Sequence, residues 1–374
     1  MNYKSMPLYR IPLFLGLIIV MTLGTGNKAQ GQLGDIGELF EGGQEDAQLL
    51  LQEYLKPFGS GFGAGINSGW VDRANTHGTL GFHLKLNVTA AMVPSADKDF
   101  NVNDLGLSKL EVLHGDNPVT PTFSGTSESG PMLGFRERIE QTGEMVDIEA
   151  FRMPEGIGLD FIPTPMIQAG VGLPKNTDLM LRYVPALNYE DYGEVSLLGV
   201  GVKHEINQWL PAGRILPVTL SVMAGYTTFR SHVDLDAQPT PQDYDHDPKN
   251  LDTPGQWDDQ QISLNSDAFT MNILVGKSLP ILSVYGGIGF ETSTTSVNVD
   301  GNYPYYEPVN VQPEGSYDME LNALTDPIDI SLDGANTLRA LAGVRISLPL
   351  ITFNVDYTYA DYSMVSAGLG ISLR

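Results

Sequence analysis

The 374-residue chain contains no cysteine. Disulfides, thiolate metal sites and cysteine nucleophiles are therefore excluded. Basic residues are scarce too: 21 Lys and Arg stand against 45 Asp and Glu, a formal net charge of −24. Affinity for phosphate backbones rests on clustered Lys and Arg, so nucleic acid is not an expected partner. Long apolar runs are missing after the first. Residues 11–23 form one, but it is shorter than the roughly 20 residues a spanning helix needs and it carries Pro12 near its start. With Lys4 and Arg10 ahead of it and Ala29-Gln30-Gly31 behind as a small-x-small cleavage site, residues 1–31 read as a secretory signal peptide. The mature chain is expected to begin near Gln32. Lys4, Arg10 and Lys28 leave with the signal and no acid does, so the mature chain is more acidic still. An exported chain with no spanning helix is soluble in the periplasm, secreted, or built into the outer membrane as a β-barrel.

What is present is alternation. Residues 79–91 read TLGFHLKLNVTAA: Leu80, Phe82, Leu84, Leu86, Val88 and Ala90 share one parity, and His83, Lys85, Asn87 and Thr89 share the other. Strands with one apolar and one polar face recur to the C-terminus, at about residues 160–173, 177–188, 194–205, 217–233, 269–279, 283–299, 338–348, 351–359 and 364–374. Repeated dyads behind an export signal point to a transmembrane barrel whose side chains alternately meet lipid and lumen. A mean hydropathy of −0.08 fits, because alternating strands average to neutral. The short connections at Pro174, Pro280 and Pro349 fall at one end, and the long stretches 94–158, 234–261 and 300–333 fall at the other. This predicts an all-β fold, a transmembrane antiparallel β-barrel of about 10–14 strands over residues 76–374, with ten the direct count and both termini in the periplasm. Tyr183, Tyr189, Tyr192, Tyr226, Tyr285, Tyr357, Tyr359 and Tyr362 lie near strand ends, where interfacial girdles occur. A secreted sandwich or propeller is the competing architecture.

Residues 32–75 form a separate N-terminal part. Residues 44–56 place Leu50, Leu51, Tyr54 and Leu55 at helical spacing, closed by Pro57. Residues 58–75 alternate too little to face lipid, and Phe58, Phe62 and Trp70 are too apolar for water, so these three are expected in a hatch inside the lumen. The candidate lumen lining is mixed. His83, Lys85, Arg182 and Arg345 are basic, with Lys203, Glu205, Glu291, Asn354 and Asp356 on the same parity, whereas Met180, Met223, Phe229, Leu274 and Leu341 are apolar. A narrow barrel can be filled by side chains or by an inserted segment.

No catalytic residue, cofactor site or metal site is expected, and the protein is not expected to be an enzyme. Asp243-Tyr244-Asp245-His246-Asp247 begins like a calcium loop, but Pro248 stands where the sharp turn needs Gly and Pro254 where a bidentate Glu is needed. Ser231 and His232 are adjacent strand residues and point to opposite faces. Arg136, Glu137, Arg138, Glu140 and Glu144 read as solvated loop charges.

Leu55-Lys56-Pro57, Asn67-Ser68-Gly69-Trp70, Gly81-Phe82, Ile162-Pro163-Thr164-Pro165, Gly170-Val171-Gly172-Leu173-Pro174 and Asp356-Tyr357 make nearly all of the mature chain resemble a family of uncharacterised Gram-negative outer-membrane proteins. More distantly, it is similar to the long-chain fatty-acid transporter barrels. That resemblance implies an N-terminal hatch over residues 44–75. Two departures are the lower strand count and the ending Ile371-Ser372-Leu373-Arg374, which lacks a terminal aromatic. The expected location is the outer membrane of a Gram-negative bacterium. The expected function is a passive channel or binding barrel for hydrophobic or amphipathic small molecules. The alternative is a non-transporting structural or interaction barrel in an envelope or secretion complex, with an outer-membrane hydrolase as a distant third. Expected partners are outer-membrane lipid and lipopolysaccharide, a hydrophobic small molecule, and the barrel-assembly machinery during biogenesis.

Overall fold

The computed structural model describes residues 43–374 apart from 139–142, 144, 190–192, 212, 236, 240–254, 311, 313–316, 335 and 374. The signal peptide and the run 243–247 lie outside the described residues. Helix α1 spans Gly43–Asn67. The barrel strands are β1 Phe82–Met92, β2 Phe161–Leu173, β3 Thr177–Tyr189, β4 Gly193–Glu205, β5 Thr219–Asp234, β6 Gln261–Ser278, β7 Leu282–Asp300, β8 Thr337–Ser347, β9 Ile351–Tyr359 and β10 Met364–Leu373. Each pairs antiparallel with the next, and β1 pairs with β10, so ten strands close into a barrel. One further strand, Ile328–Asp333, pairs with the upper part of β7.

Alternation builds the wall. Phe82, Leu84, Leu86 and Val88 are 43–47 % exposed, whereas His83, Lys85, Asn87 and Thr89 between them are at most 6 % exposed. The same outward apolar set recurs as Val200 and Val202 on β4, Met271, Ile273 and Val275 on β6, and Phe353, Val355 and Tyr357 on β9. Such an exterior is the surface of a transmembrane barrel. Tyr183, Tyr226, Tyr357 and Tyr359 lie on it. Tyr285 and Tyr362, expected in the same girdles, are buried inside instead; Tyr285 shares its parity with the buried Ser283, and Tyr362 sits in the turn before β10.

Strands β5, β6 and β7 run 16, 18 and 19 residues. A bilayer needs about 9–11 strand residues, so this side of the wall rises above it at the long-loop end. There the described residues of 94–158 form a cap with small sheets of its own. Its strands Glu111–Val112, Met132–Arg138 and Met145–Arg152 form one small sheet, and Asp99–Asn101 pairs with Val119–Pro121. Leu110, Leu133, Ile148 and Met153 of the cap, Val297 and Val299 of β7, and Ile330 and Leu332 of the added strand enclose Ala47, Leu50, Leu51 and Tyr54 of α1 in one core. Within 300–333, Asn302–Val309 pairs antiparallel with Asp318–Thr325, and the added strand follows.

One expectation about the N-terminal part is corrected. The helix does not close at Pro57 but runs through it to Asn67. Proline removes one i→i−4 bond and disfavours a helix interior, but every residue from Gly59 to Asn67 is buried in the lumen, where a helix satisfies its own backbone. The mature N-terminus expected near Gln32 lies outside the described residues; Gly43, the first described one, lies away from the C-terminus. The Gln44 and Gln48 side chains donate to the carbonyls of Asp326 and Pro327, and buried Asp46 accepts from the backbone N–H groups of Ser108, Lys109 and Leu110, all at the long-loop end. From there the chain descends through the barrel and reaches the short-turn end at His77, whose N–H donates to Asp178 beside the 174–176 turn.

Candidate functional site in the filled lumen

Glycine makes room for the helix. A Cβ at Gly61 would lie 2.6 Å from Ile162 Cγ1, and one at Gly65 would lie 2.1 Å from Thr164 Oγ1, both on β2. On another side, a Cβ at Gly63 would lie 2.1 Å from Ser293 Oγ of β7, and one at Gly59 2.8 Å from Leu332. Gly59 with Gly63 and Gly61 with Gly65 form two i,i+4 ridges, each allowing the helix backbone to approach one side of the wall.

The last carbonyls of a helix lack partners and carry its negative end. No base stands in the last turn of α1, and the wall supplies the cations. Arg182 of β3 donates through Nη1 to the Ile66 carbonyl and through Nη2 to the Ser68 carbonyl, both at 2.6 Å, and through Nε to Gln168. Arg339 of β8 donates to the Asn67 carbonyl at 3.2 Å and pairs with Glu291 at 2.6 Å. The chain then extends downward. Arg345 pairs with Asp72 at 3.0 Å, Lys85 and Gln168 donate to the Trp70 carbonyl, and Lys203 donates to the carbonyls of Arg73 and Asn75 while pairing with Asp178 at 3.2 Å. An acidic protein thus lines its lumen with five cations and anchors its own N-terminal segment with them.

Trp70 is the apolar anchor. Its ring lies 3.8 Å beneath the Arg182 guanidinium carbon, a cation–π contact. Its far edge fills a socket on β4 and β5, where a Cβ at Gly201 or Gly225 would come within 2.7 Å of ring atoms. Met180, Met223, Leu274 and Leu341 pack around Trp70, Val71 and Ala74. His83 stacks on His77 at 4.6 Å. Higher in the lumen Phe62 stacks on Phe58 at 5.7 Å and meets Phe229 edge-on at 4.9 Å. The structure therefore brings His83, Lys85, Met180, Arg182, Met223, Phe229, Leu274, Leu341 and Arg345 of the wall and Phe58, Phe62 and Trp70 of the plug into one interior. Arg339, Gln168 and the Gly201–Gly225 pair were not singled out from sequence. Arg339 shares its parity with Leu341 and Arg345, which was a usable signal.

The wall itself is interrupted. Pairing between β2 and β3 is confined to residues 168–173 against 177–182. Above that level residues 161–167 pair with β1 alone and residues 183–189 with β4 alone. Gly172 exchanges backbone bonds with Leu80 and Gly81, which lead into β1, so even-numbered residues of β2 point that way and odd-numbered ones point at β3. Pro163 and Pro165 are odd and have no N–H to give. On the facing strand the register shifts between Val184 and Leu187, around Pro185. Ile162, Met166 and Val184, which border this break, belong to the cluster that holds Phe58, Phe62 and Phe229.

An antiparallel barrel with an apolar exterior and a lumen filled by its own N-terminal segment is a plugged transmembrane β-barrel. The chain belongs to the family of unknown function DUF6588, which it matches over residues 9–373. No curated protein matches it. Among solved structures it is similar to the translocator domain of the autotransporter NalP from Neisseria meningitidis (11 % identity, TM-score 0.28, covering 80 % of this chain and 90 % of that one). It is also similar to the outer membrane protease OmpT from Escherichia coli (8 %, 0.29, 78 % and 97 %) and the P. putida toluene transporter TodX (10 %, 0.18, 79 % and 67 %). Likeness at this level carries no functional argument.

Proposed function

We propose that the protein is an outer-membrane binding barrel that takes up a hydrophobic or amphipathic small molecule sideways, from the lipid leaflet nearest the long loops. The observation that carries this reading is the break between β2 and β3, whose bordering residues join the Phe58–Phe62–Phe229 cluster. The axis is a poor route for any solute because α1 and residues 68–77 occupy it, held by Arg182, Arg339, Arg345, Lys85 and Lys203. A sideways route needs no removal of that plug. Apolar and aromatic lining with few polar groups is what an acyl or aromatic ligand requires.

The absence of cysteine makes the test clean. Ile167 and Tyr183 are the next facing positions beyond the last pair across the break, so Ile167→Cys with Tyr183→Cys allows a reducible cross-link to close it. The purified protein should bind cis-parinaric acid, lose that binding when the link forms, and regain it on reduction. Binding that is unchanged by the cross-link would overturn the lateral route. No binding in any state would favour the second reading, a non-transporting interaction barrel, for which the tightly anchored plug is the supporting observation.

A further inference from the structure

The cap holds a cavity of about 660 Å³. It lies among residues 95–131, with Arg152, Gly158 and Asp160 completing its lining. The volume is in the range of small-molecule sites, about 300–1,000 Å³. We propose that this cavity is a binding site for a neutral saccharide at the cell surface.

The chemistry of the lining selects the class. It includes no aromatic residue and no long aliphatic one, so an acyl chain or aromatic ligand finds nothing to bury against. Both of its cations are already engaged: Lys98 with Asp160, and Arg152 with Asp116 and with the Gly130 carbonyl at 3.0 Å. An anion would therefore meet the remaining carboxylates, Asp99 and Glu128, without a free positive partner. A metal ion lacks its ligands, since no group of three His, Asp or Glu side chains suited to one occurs among the described residues. Two hydroxyls in the lining decide the rest. Thr120 is 0 % and Ser124 1 % exposed, and neither Thr120 Oγ1 nor Ser124 Oγ has a hydrogen-bond partner among the described residues. Buried hydroxyls left unpaired are costly, so they call for a partner that both gives and accepts hydrogen bonds. Sugar hydroxyls do both, and adjacent pairs of them donate to a carboxylate such as Asp99 or Glu128.

The saccharide could come from the surrounding lipopolysaccharide or from outside the cell, and two probes separate these. The full chain in detergent is titrated calorimetrically with a neutral O-antigen repeat-unit oligosaccharide from smooth-strain lipopolysaccharide, and separately with maltotetraose. Binding of at least one is expected, and the one that binds names the source. Thr120→Val, which is close to isosteric, should weaken it about tenfold while leaving thermal stability unchanged or raised. Asp99→Asn with Glu128→Gln should weaken it by a similar factor in a barrel whose gel mobility stays heat-modifiable. A folded wild-type protein that binds neither probe overturns the proposal. So do variants that bind as tightly as wild type, or spermidine binding that displaces the sugar and is lost in Glu128→Gln.

Discussion

The guanidinium of Arg182 is shared between two parts of the plug: its carbon sits 3.8 Å from the Trp70 ring centroid while its terminal nitrogens hold the carbonyls of Ile66 and Ser68. One wall residue therefore closes the C-terminal end of α1 and seats the aromatic anchor below it. Arg182→Met keeps the stem and removes every donor, leaving two buried carbonyls unpaired. A loss of about 3 kcal/mol is expected from such a deletion, read as a lower urea midpoint for loss of the compact gel form. Arg182→Lys should recover only part of it, because an ammonium lacks the planar fork that spans both carbonyls. Equal stability of all three proteins would show that the plug is held elsewhere.

The Trp70 socket gives an independent test by exchange of volume. Gly201→Val should destabilise the filled barrel by about 1–3 kcal/mol, because its side chain enters space the indole occupies. Trp70→Ala alone should also destabilise, by leaving a cavity. The double variant should be more stable than the sum of the two losses predicts. Strict additivity in urea titrations would place the ring outside that socket.

The barrel was legible in the sequence because its signal has period two, and the one-sided loop lengths set it apart from a sandwich. Leu84 and Lys85 each declare a face, and nine more such strands follow. Trp70 was legible as an interior residue for the same reason in reverse: no alternation surrounds it. The course of α1 was not. Pro57 and the alternate glycines Gly59, Gly61, Gly63 and Gly65 read locally as helix breakers, and only the neighbouring wall atoms that a Cβ would strike explain them. The direction of the plug was hidden too, since strand bookkeeping begins at Phe82 and is silent about a segment that crosses the lumen first. The break beside β2 was written in Pro163, Pro165 and Pro185, but a proline shows its meaning only once the side of the strand it faces is known.

Acid should loosen the cap before it affects the barrel. The backbone N–H of Met132, and after it the Arg152 guanidinium, hold the Asp116 carboxyl below the usual carboxylate range. A carboxylate with a depressed folded pKa contributes stability that is present above its unfolded value of about 3.9 and is lost as pH falls through the folded one. Amide hydrogen exchange within residues 116–131, corrected for the intrinsic rate at each pH, should therefore quicken increasingly below roughly pH 4, and Asp116→Asn should show that loosening already at pH 6. Exchange with the same pH dependence in both proteins would remove Asp116 from the account.

The direction of the plug makes the boldest prediction. β1 starts at the short-turn end, where Phe82 pairs with Leu373, and the chain before it climbs the lumen to Gly43 beside Asp326 and Ser108. In outer-membrane barrels the long loops face the outside, so Gly43 is expected at the cell surface although the barrel's first strand begins in the periplasm. An epitope inserted immediately before Gln44 should be stained by antibody on intact cells, as should one within residues 313–316. An epitope replacing Lys175 and Asn176 should be stained only after the outer membrane is opened. The reverse pattern would invert the barrel. Staining of 313–316 on intact cells with the Gln44 epitope hidden would mean that α1 enters from below, and the anchoring of its C-terminal carbonyls by Arg182 and Arg339 would then have to be abandoned with it.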